Sequence, residues 1–191
     1  MGLEPIDDSW PNLPLATEKG ARIEFVPTPR NGGTSQGRRR LRHWLLKVMS
    51  VYPPFLGAGI RVVRISPDRR TFDVRMKLTF FNRNYVGTHF GGSLYAMCDP
   101  FFMLILIPAL GPEYVVWDKA ATIRFKRPGR GNVHATFHVP QERIDEIRRA
   151  ADAGEKVEPV FKAEVVDEAG QVVVEVEKTL HVRRRAPEDA C

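Results

Sequence analysis

Cysteine is scarce in this chain of 191 residues: only Cys98 and Cys191 are present, without the paired spacing of a disulfide framework or a zinc site. So few cysteines are typical of a reducing compartment, and we expect a cytoplasmic protein. Acidic residues are also the minority, since 29 Lys and Arg against 23 Asp and Glu leave a formal net charge of +6. This charge permits an anionic partner, but no aromatic residues alternate with the basic ones, so nucleic-acid binding is not expected.

Long hydrophobic runs are missing as well. The longest, residues 94–110, contains Asp99, Pro100 and Pro108 and falls short of the ~20 apolar residues that a membrane span needs. The first thirty residues have no apolar core, so they do not resemble an export signal. Neither a phosphate-binding loop nor a dinucleotide fingerprint occurs, and His134 and His138 lack a third ligand. We therefore expect no membrane span, no metal and no cofactor.

The composition divides the chain into three segments. Residues 1–37 contain prolines throughout and an Asn-Gly-Gly turn, which predicts an irregular N-terminal extension. Residues 38–185 carry the helical and strand patterns of one domain, and residues 186–191 form a polar tail. Apolar residues at helical spacing predict the first helix of the domain over residues 38–50.

Strict alternation of apolar and polar residues predicts the strands. The clearest case is residues 72–80, where every second residue from Phe72 to Phe80 is apolar. Further strands are predicted over 60–65, 121–125, 133–139, 160–166 and 172–182, with an amphipathic helix over 141–153. Most connections are short turns, so the sheet should be largely antiparallel. The apolar helix at 94–110 can be buried only if this sheet curls around it, which predicts an α+β hotdog fold.

The most unusual group of residues lies at the start of that apolar helix. Gly91 and Gly92 allow a close backbone approach at a helix N-terminus, where free N–H groups suit a carbonyl oxygen that gains negative charge. Asp99 is the only acid in the apolar stretch, and we expect it to be enclosed by apolar neighbours. The structural alternative is that the glycines only start the helix tightly and that Asp99 is a paired structural acid.

Residues 55–183 resemble the hotdog-fold acyl-CoA thioesterases, especially the tetrameric PaaI-like branch and a family described as a domain of unknown function, DUF4442. The segments at 84–99, 116–121 and 125–131 carry the resemblance. In PaaI-like enzymes an Asn lies seven residues before the first Gly of a His-Gly-Gly motif, and a helix acid lies seven after the second. Asn84 and Asp99 match both offsets.

This resemblance implies hydrolysis of acyl thioesters, with coenzyme A as part of the substrate. Asp99 would be the nucleophile or the general base toward water, and Asn84 would hold the water or the carbonyl. His89 completes the candidate catalytic set, although the position of the family's histidine is occupied here by Phe90. The site would be completed across the interface of a homodimer or a dimer of dimers. The implied substrate-binding residues are Thr88, Gly91, Gly92, Ser93, Lys126, Arg127 and Arg130, of which the three basic ones would meet the phosphates of coenzyme A or form a solvated turn.

Two other functions stay open. A non-catalytic hotdog protein that binds acyl groups or coenzyme A would keep the fold and lose the reaction, and the displaced histidine favours it. A hotdog dehydratase is the weaker alternative. Its His-Phe-x-Gly motif matches residues 89–92, but the acid that follows fourteen residues after its histidine falls on Met103.

Overall fold

The computed structural model of the protein describes residues 48–49 and 51–186. The predicted extension over 1–37, most of the helix predicted over 38–50 and nearly all of the tail at 186–191 lie outside the described residues. Val48 and Met49, at the end of that predicted helix, are helical.

Residues 51–186 form four α-helices and six β-strands. A short 3₁₀ turn, Phe80–Asn82, lies between the second strand and the second helix. The helices are α1 (Pro53–Ala58), α2 (Gly91–Ala96), α3 (Phe101–Leu110) and α4 (Gln141–Asp152). The strands are β1 (Ile60–Ile65), β2 (Thr71–Lys77), β3 (Tyr114–Phe125), β4 (Asn132–His138), β5 (Val160–Asp167) and β6 (Val172–Arg184).

The six strands form one sheet in the order β1-β2-β4-β5-β6-β3, and every neighbouring pair is antiparallel. The predicted antiparallel sheet is therefore confirmed. The longest strand, β6, lies between β5 and β3. Among the described strands β1 and β3 lie at the edges, so one side of the twelve-residue strand β3 has no partner strand in the described part of the chain.

The core lies between the sheet and α3. Phe101 stacks on Phe137 of β4 with ring centroids 4.7 Å apart, and Phe102 stacks on Phe161 of β5 at 4.9 Å. All four rings are buried. Because α3 is apolar on nearly every side, it is stable in water only when the sheet curves around it. The hotdog fold predicted from the sequence is confirmed.

The amphipathic helix predicted over 141–153 is also confirmed, as α4. Its apolar residues Ile144 and Ile147 are buried, as predicted. Arg148 donates hydrogen bonds to the carbonyl oxygens of Ala109 at 2.6 Å and Leu110 at 3.1 Å, the last residues of α3. These carbonyls have no partner within their own helix, so the guanidinium group caps α3.

The strand predicted over 72–80 ends early, at Lys77. The Asn82 side chain donates hydrogen bonds to the carbonyl oxygens of Ala58 and Lys77 and accepts one from the Thr79 N–H. These bonds turn the chain away from the sheet after Lys77. Phe80, predicted as the last inward residue of the strand, is consequently 81% exposed.

The single helix predicted over 94–110 is wrong in one respect, because a turn at 97–100 divides it into α2 and α3. Pro100 cannot donate a backbone hydrogen bond, and its carbonyl accepts from the Leu104 N–H at 2.9 Å at the start of α3. Taken as one segment, α2, the turn and α3 (Gly91–Leu110) have the length and apolar composition of a membrane span, and 50% of the segment is buried inside the fold.

Candidate functional site

The loop that precedes α2 is held by the side chain of Asn84. Its Oδ1 accepts hydrogen bonds from the N–H groups of Val86 at 3.1 Å and Thr88 at 2.9 Å. Its Nδ2 donates to Thr88 Oγ1 at 2.9 Å and to the His89 carbonyl at 3.2 Å. Asn commonly stabilises loops in this way, because its amide replaces missing backbone partners. The amide predicted to hold a water or a carbonyl is thus fully used within its own loop.

His89 is buried and joins this loop to the turn after β3. Its backbone N–H donates to the Gly129 carbonyl at 3.0 Å, and its ring Nε2 donates to the Gly131 carbonyl at 3.0 Å. Burial lowers the pKa of His89, although the hydrogen bond to Gly131 acts in the opposite direction. The ring is therefore neutral near pH 7, with its proton on Nε2, and the buried Nδ1 has no hydrogen-bond partner among the described residues.

A cleft of about 450 Å³ lies between this loop and this turn. A Cβ atom on Gly91 would lie 3.1 Å from Phe125 Cζ, so the close approach of the Phe125 ring favours glycine here. The Gly91 N–H has no partner in the described part of the chain, as expected for the first residue of a helix. The cleft is lined by Asn84, Val86, Thr88, His89, Gly91, Leu94, Phe125, Lys126, Arg127, Pro128 and Gly129.

Four of the predicted substrate-binding residues line the cleft, namely Thr88, Gly91, Lys126 and Arg127. Both basic side chains already have partners, since Lys126 pairs with Glu175 at 3.0 Å and Arg127 hydrogen bonds to the Gln171 side chain. The cleft thus combines apolar walls with two cations at one end of β3.

The other three predicted binding residues do not line it. Ser93 is buried in the first turn of α2, and Gly92 packs against Phe90, whose ring a Cβ atom at Gly92 would approach to 2.4 Å. Arg130 is exposed and lies outside the cleft lining.

Asp99 lies in the turn between α2 and α3, and its side chain is 49% exposed. Its Oδ1 accepts a hydrogen bond from Lys178 Nζ at 2.9 Å, and the Tyr95 hydroxyl also interacts with the carboxylate. The expectation of an enclosed carboxylate is therefore wrong. The turn carries Asp99 off the helix toward solvent, while Met97 and Cys98 stay buried.

Lys178, on β6, is the residue of this group that the sequence analysis missed. Its side chain is 0% exposed, and its Nζ also contacts Asp118 Oδ2 at 3.2 Å and Tyr95 Oη at 3.4 Å. The ammonium group lies 5.3 Å from the centroid of the Tyr95 ring. The sequence feature that could have identified Lys178 is a lysine at an inward position of an alternating strand. The other inward positions of β6 are apolar, namely Val174, Val176, Leu180 and Val182.

The electrostatics of this group depend on one cation between two acids. Burial disfavours the ammonium form of Lys178, but the hydrogen bond to Asp99 and the charges of Asp118 and Asp99 outweigh it, so the pKa of Lys178 is raised. Burial raises the pKa of Asp118, although Lys178 opposes this shift. Asp118 Oδ1 is buried without a hydrogen-bond partner in the described part of the chain.

Cys98 is next to this group in sequence and is buried. Burial raises the pKa of its thiol to about 12, so it is not a nucleophile at neutral pH. No three His, Cys, Asp or Glu side chains of residues 51–186 are arranged to hold a metal ion.

A sequence model of the family described as "Domain of unknown function (DUF4442)" matches residues 42–182. The chain belongs to the DUF4442 family. No curated protein matches this DUF4442 protein significantly.

Solved structures resemble it at low sequence identity. A Pseudomonas aeruginosa protein, PA5026, described as a "probable thioesterase", is 22% identical with a TM-score of 0.61, over 84% of this chain and 99% of that one. The thioesterase HI1161 of Haemophilus influenzae is 15% identical with a TM-score of 0.57, over 75% and 90% of the two chains. The PaaI protein of E. coli is 18% identical with a TM-score of 0.53, over 78% and 95%. These similarities support the hotdog fold.

Within one subunit of the DUF4442 protein, the cleft and the charged group are separate. Asp99, Asp118 and Lys178 are not among the residues that line the cleft. A second cavity, of about 510 Å³, is lined by Trp117, His181 and several cationic residues, and it contains none of the predicted site residues. The candidate site therefore consists of two parts, a cleft with two cations at one end and the half-exposed carboxylate of Asp99.

Proposed function

We propose that this DUF4442 protein hydrolyses acyl thioesters, in particular those of coenzyme A, at a site shared between two copies of the chain. The observation that carries the proposal is that the described part of one subunit presents an unpaired Gly91 N–H in the cleft and, separately, the half-exposed carboxylate of Asp99 outside it. Hydrolysis needs both groups at one carbonyl carbon. Their separation supports a site made of the cleft of one subunit and the carboxylate of the other.

In this mechanism the acyl carbonyl oxygen accepts a hydrogen bond from the Gly91 N–H. Asp99 Oδ2 takes a proton from a water molecule as the water oxygen bonds to the carbonyl carbon, or it attacks that carbon itself. The Gly91 donor stabilises the oxyanion because it is already oriented before the charge develops. When Asp99 acts as the base, the C–S bond then breaks, the protonated carboxyl returns its proton to the leaving thiolate, and the products are a carboxylic acid and a thiol. When Asp99 attacks directly, the thiolate leaves and a mixed anhydride forms; water then hydrolyses this anhydride to the carboxylic acid, its remaining proton goes to the thiolate, and Asp99 is regenerated as a carboxylate.

Asn84 and His89 have supporting parts in this proposal. Asn84 fixes the loop that leads into Gly91, and His89 ties this loop to the Gly129 and Gly131 carbonyls. Both side chains thereby hold the Gly91 N–H in the cleft. A preorganised donor needs such fixed surroundings.

The unpaired edge of β3 supports the shared site. Among residues 51–186 one side of this twelve-residue strand has no strand partner, and most of residues 117–125 are exposed. Long exposed edges invite pairing with another strand, and a two-fold interface pairs the same strand from both copies. Such a dimer brings the Phe125 end of β3 in one copy toward the other copy. Lys126 and Arg127, at that end, then face the phosphates of the bound coenzyme A.

A second candidate function is binding of acyl-CoA without hydrolysis. The observation that favours it is that His89 and the Asn84 amide form only internal hydrogen bonds. In that case Asp99 and the cleft would hold a ligand without activating water.

The test is hydrolysis of acyl-CoA esters from short to long chains by the wild type and by Asp99→Asn. We expect turnover by the wild type and a loss of about 100-fold or more in kcat for Asp99→Asn, the usual size for a lost general base. Asp145→Asn, which changes an exposed acid of α4, is the matched control and should keep full activity. Thermal unfolding of each protein confirms that the variants are folded.

Two results would reject the proposal in different ways. A wild type that binds acyl-CoA in calorimetry but turns over none of the esters is a binding protein. An Asp99→Asn variant as active as the wild type would make Asp99 a structural acid, and the mechanism above would be wrong.

A further inference from the structure

Lys178 occupies a place where the fold itself favours an apolar side chain. Its neighbours on the inner face of β6, Val176 and Leu180, are buried in the core. A charged ammonium group that is buried away from water is stable only when it is paired with opposite charge. Lys178 forms two such ion pairs, with Asp99 and with Asp118. Replacing such buried ion pairs with apolar residues is often neutral or stabilising, so the charged group is not explained by stability.

The two carboxylates have unequal surroundings. Asp118 lies on β3 with its side chain 23% exposed, whereas Asp99 is 49% exposed and uses only Oδ1 in the contact with Lys178. The Lys178 ammonium therefore fixes one oxygen of Asp99 while about half of the side chain stays exposed. It also separates the charge of Asp99 from that of Asp118.

The remaining titratable groups at this place are neutral. The Tyr95 hydroxyl, from α2, lies 3.4 Å from Lys178 Nζ, and burial raises its pKa. The Cys98 thiol, also buried, has its pKa raised to about 12. Lys178 is thus the cation that balances the two acids.

We propose that Lys178 is a positioning residue for Asp99: its ammonium group holds Oδ1 and thereby orients the half-exposed carboxylate toward the substrate. This role rests on the proposed hydrolysis, in which Asp99 must be ionised to act. Lys178 itself lies behind Asp99 and is too buried to reach a substrate.

The first test is the pH profile of kcat/KM for acyl-CoA hydrolysis by Lys178→Met. Without the cation, Asp99 and Asp118 repel each other, so Asp99 binds its proton at higher pH. We expect the acidic limb of the profile to shift to higher pH by about one unit or more, the usual effect of losing an adjacent opposite charge. Activity should then recover as the pH rises. If the substitution only disturbed the structure, kcat/KM would be lowered by the same factor at every pH.

The double variant Lys178→Met/Asp118→Asn removes the repelling acid together with the cation. Its acidic limb should lie between those of the wild type and of Lys178→Met. This variant also keeps the test valid if the single variant does not fold, because no unpaired buried carboxylate remains at position 118. Lys162→Met is the matched control, since Lys162 lies on β5 with its side chain 80% exposed, and its profile should match the wild type.

A second readout does not depend on turnover. Carboxyl ¹³C resonances of labelled aspartate, with Asp99 assigned through Asp99→Asn, report the Asp99 titration directly by NMR. In Lys178→Met this titration should move to higher pH by about one unit or more, as the limb of the profile does. If the wild type hydrolyses no thioester, the proposed function fails while the NMR titration still tests the pairing. An Asp99 titration unchanged in folded Lys178→Met and in the double variant would overturn the proposal.

Discussion

The cleft beside α2 and the charged group around Lys178 differ in how their polar side chains are used. In the cleft, Asn84 and His89 are neutral, and their hydrogen bonds are made within the loop and to the adjoining turn. In the charged group, a buried cation is held between two acids, and the Asp99 side chain is half-exposed. The first region is arranged for rigidity, whereas the second keeps a carboxyl group at the surface.

This difference separates two requirements of hydrolysis. A donor for the carbonyl oxygen must be fixed, which the hydrogen bonds of the loop achieve for the Gly91 N–H. A base must be ionised and must reach the substrate, and the half-exposed side chain of Asp99 allows such contact. Because one subunit does not bring the two together, the comparison predicts that they act across an interface.

The strongest test of that comparison is complementation between two inactive variants. Asp99→Asn removes the base, and Gly91→Val fills the cleft beside Phe125. In a mixed two-fold dimer, one site carries both changes and the other carries neither. A 1:1 mixture that exchanges subunits should therefore regain about a quarter of the wild-type activity, since half of the dimers have one intact site of two.

The control for this experiment is each variant alone, carried through the same exchange. Light scattering should first give at least a dimer at micromolar concentration for all samples. A mixture no more active than the separate variants, despite demonstrated exchange, would place both groups in one subunit. A stable monomer that hydrolyses thioesters would contradict the shared site altogether.

The next prediction concerns the cations at the end of the cleft. Lys126→Ala and Arg127→Ala should each raise KM for acyl-CoA by about tenfold, as expected for the loss of one charge-assisted hydrogen bond of about 1.4 kcal/mol. The value of kcat should change little, because these residues touch a non-reacting part of the substrate. Arg130→Ala, outside the cleft lining, should have a smaller effect.

A substrate without the nucleotide provides the control for the same residues. On a short acyl thioester that lacks phosphates, KM should be equal for the wild type and for the Lys126 and Arg127 variants. An equal rise in KM on both substrates would mean that these side chains shape the cleft and do not bind phosphate.

The sequence predicted the fold well because the fold depends on repeated local patterns. Alternation identified strands such as β4 and β6, and helical spacing identified α4, since burial on one face imposes these periods. It overestimated the length of β2, because the Asn82 side chain that ends this strand hydrogen bonds to the backbone of Lys77 and of the more distant Ala58, and such bonds leave no periodic signal.

The candidate site was less predictable for the same reason. The sequence identified Asp99 but not its partner, since Lys178 is 79 residues away along the chain and meets it only after β6 packs beneath the turn at 97–100. The burial of His89 was equally hidden, because it depends on the carbonyls of Gly129 and Gly131. Spacing within a motif shows which residues are neighbours in sequence, but not which long-range contacts they make.

The smallest expected effect tests whether His89 is structural. Burial lowers the pKa of His89 in the folded protein, whereas the same histidine in the unfolded chain binds a proton near pH 6.5. The free energy of unfolding therefore falls as the pH drops through that value. His89→Asn should be less stable than the wild type at pH 7.5 by about 1–2 kcal/mol, the size of a lost buried hydrogen bond, and should lose less stability on acidification. Some pH dependence should persist, because burial also lowers the pKa of His181.

Urea unfolding at pH 7.5, 6.5 and 5.5 measures the free energy of unfolding of each protein, with His138→Asn on the exposed side of β4 as the control. A variant with wild-type stability and pH dependence but greatly reduced kcat would make His89 a catalytic residue, contrary to the assignment of a purely structural role.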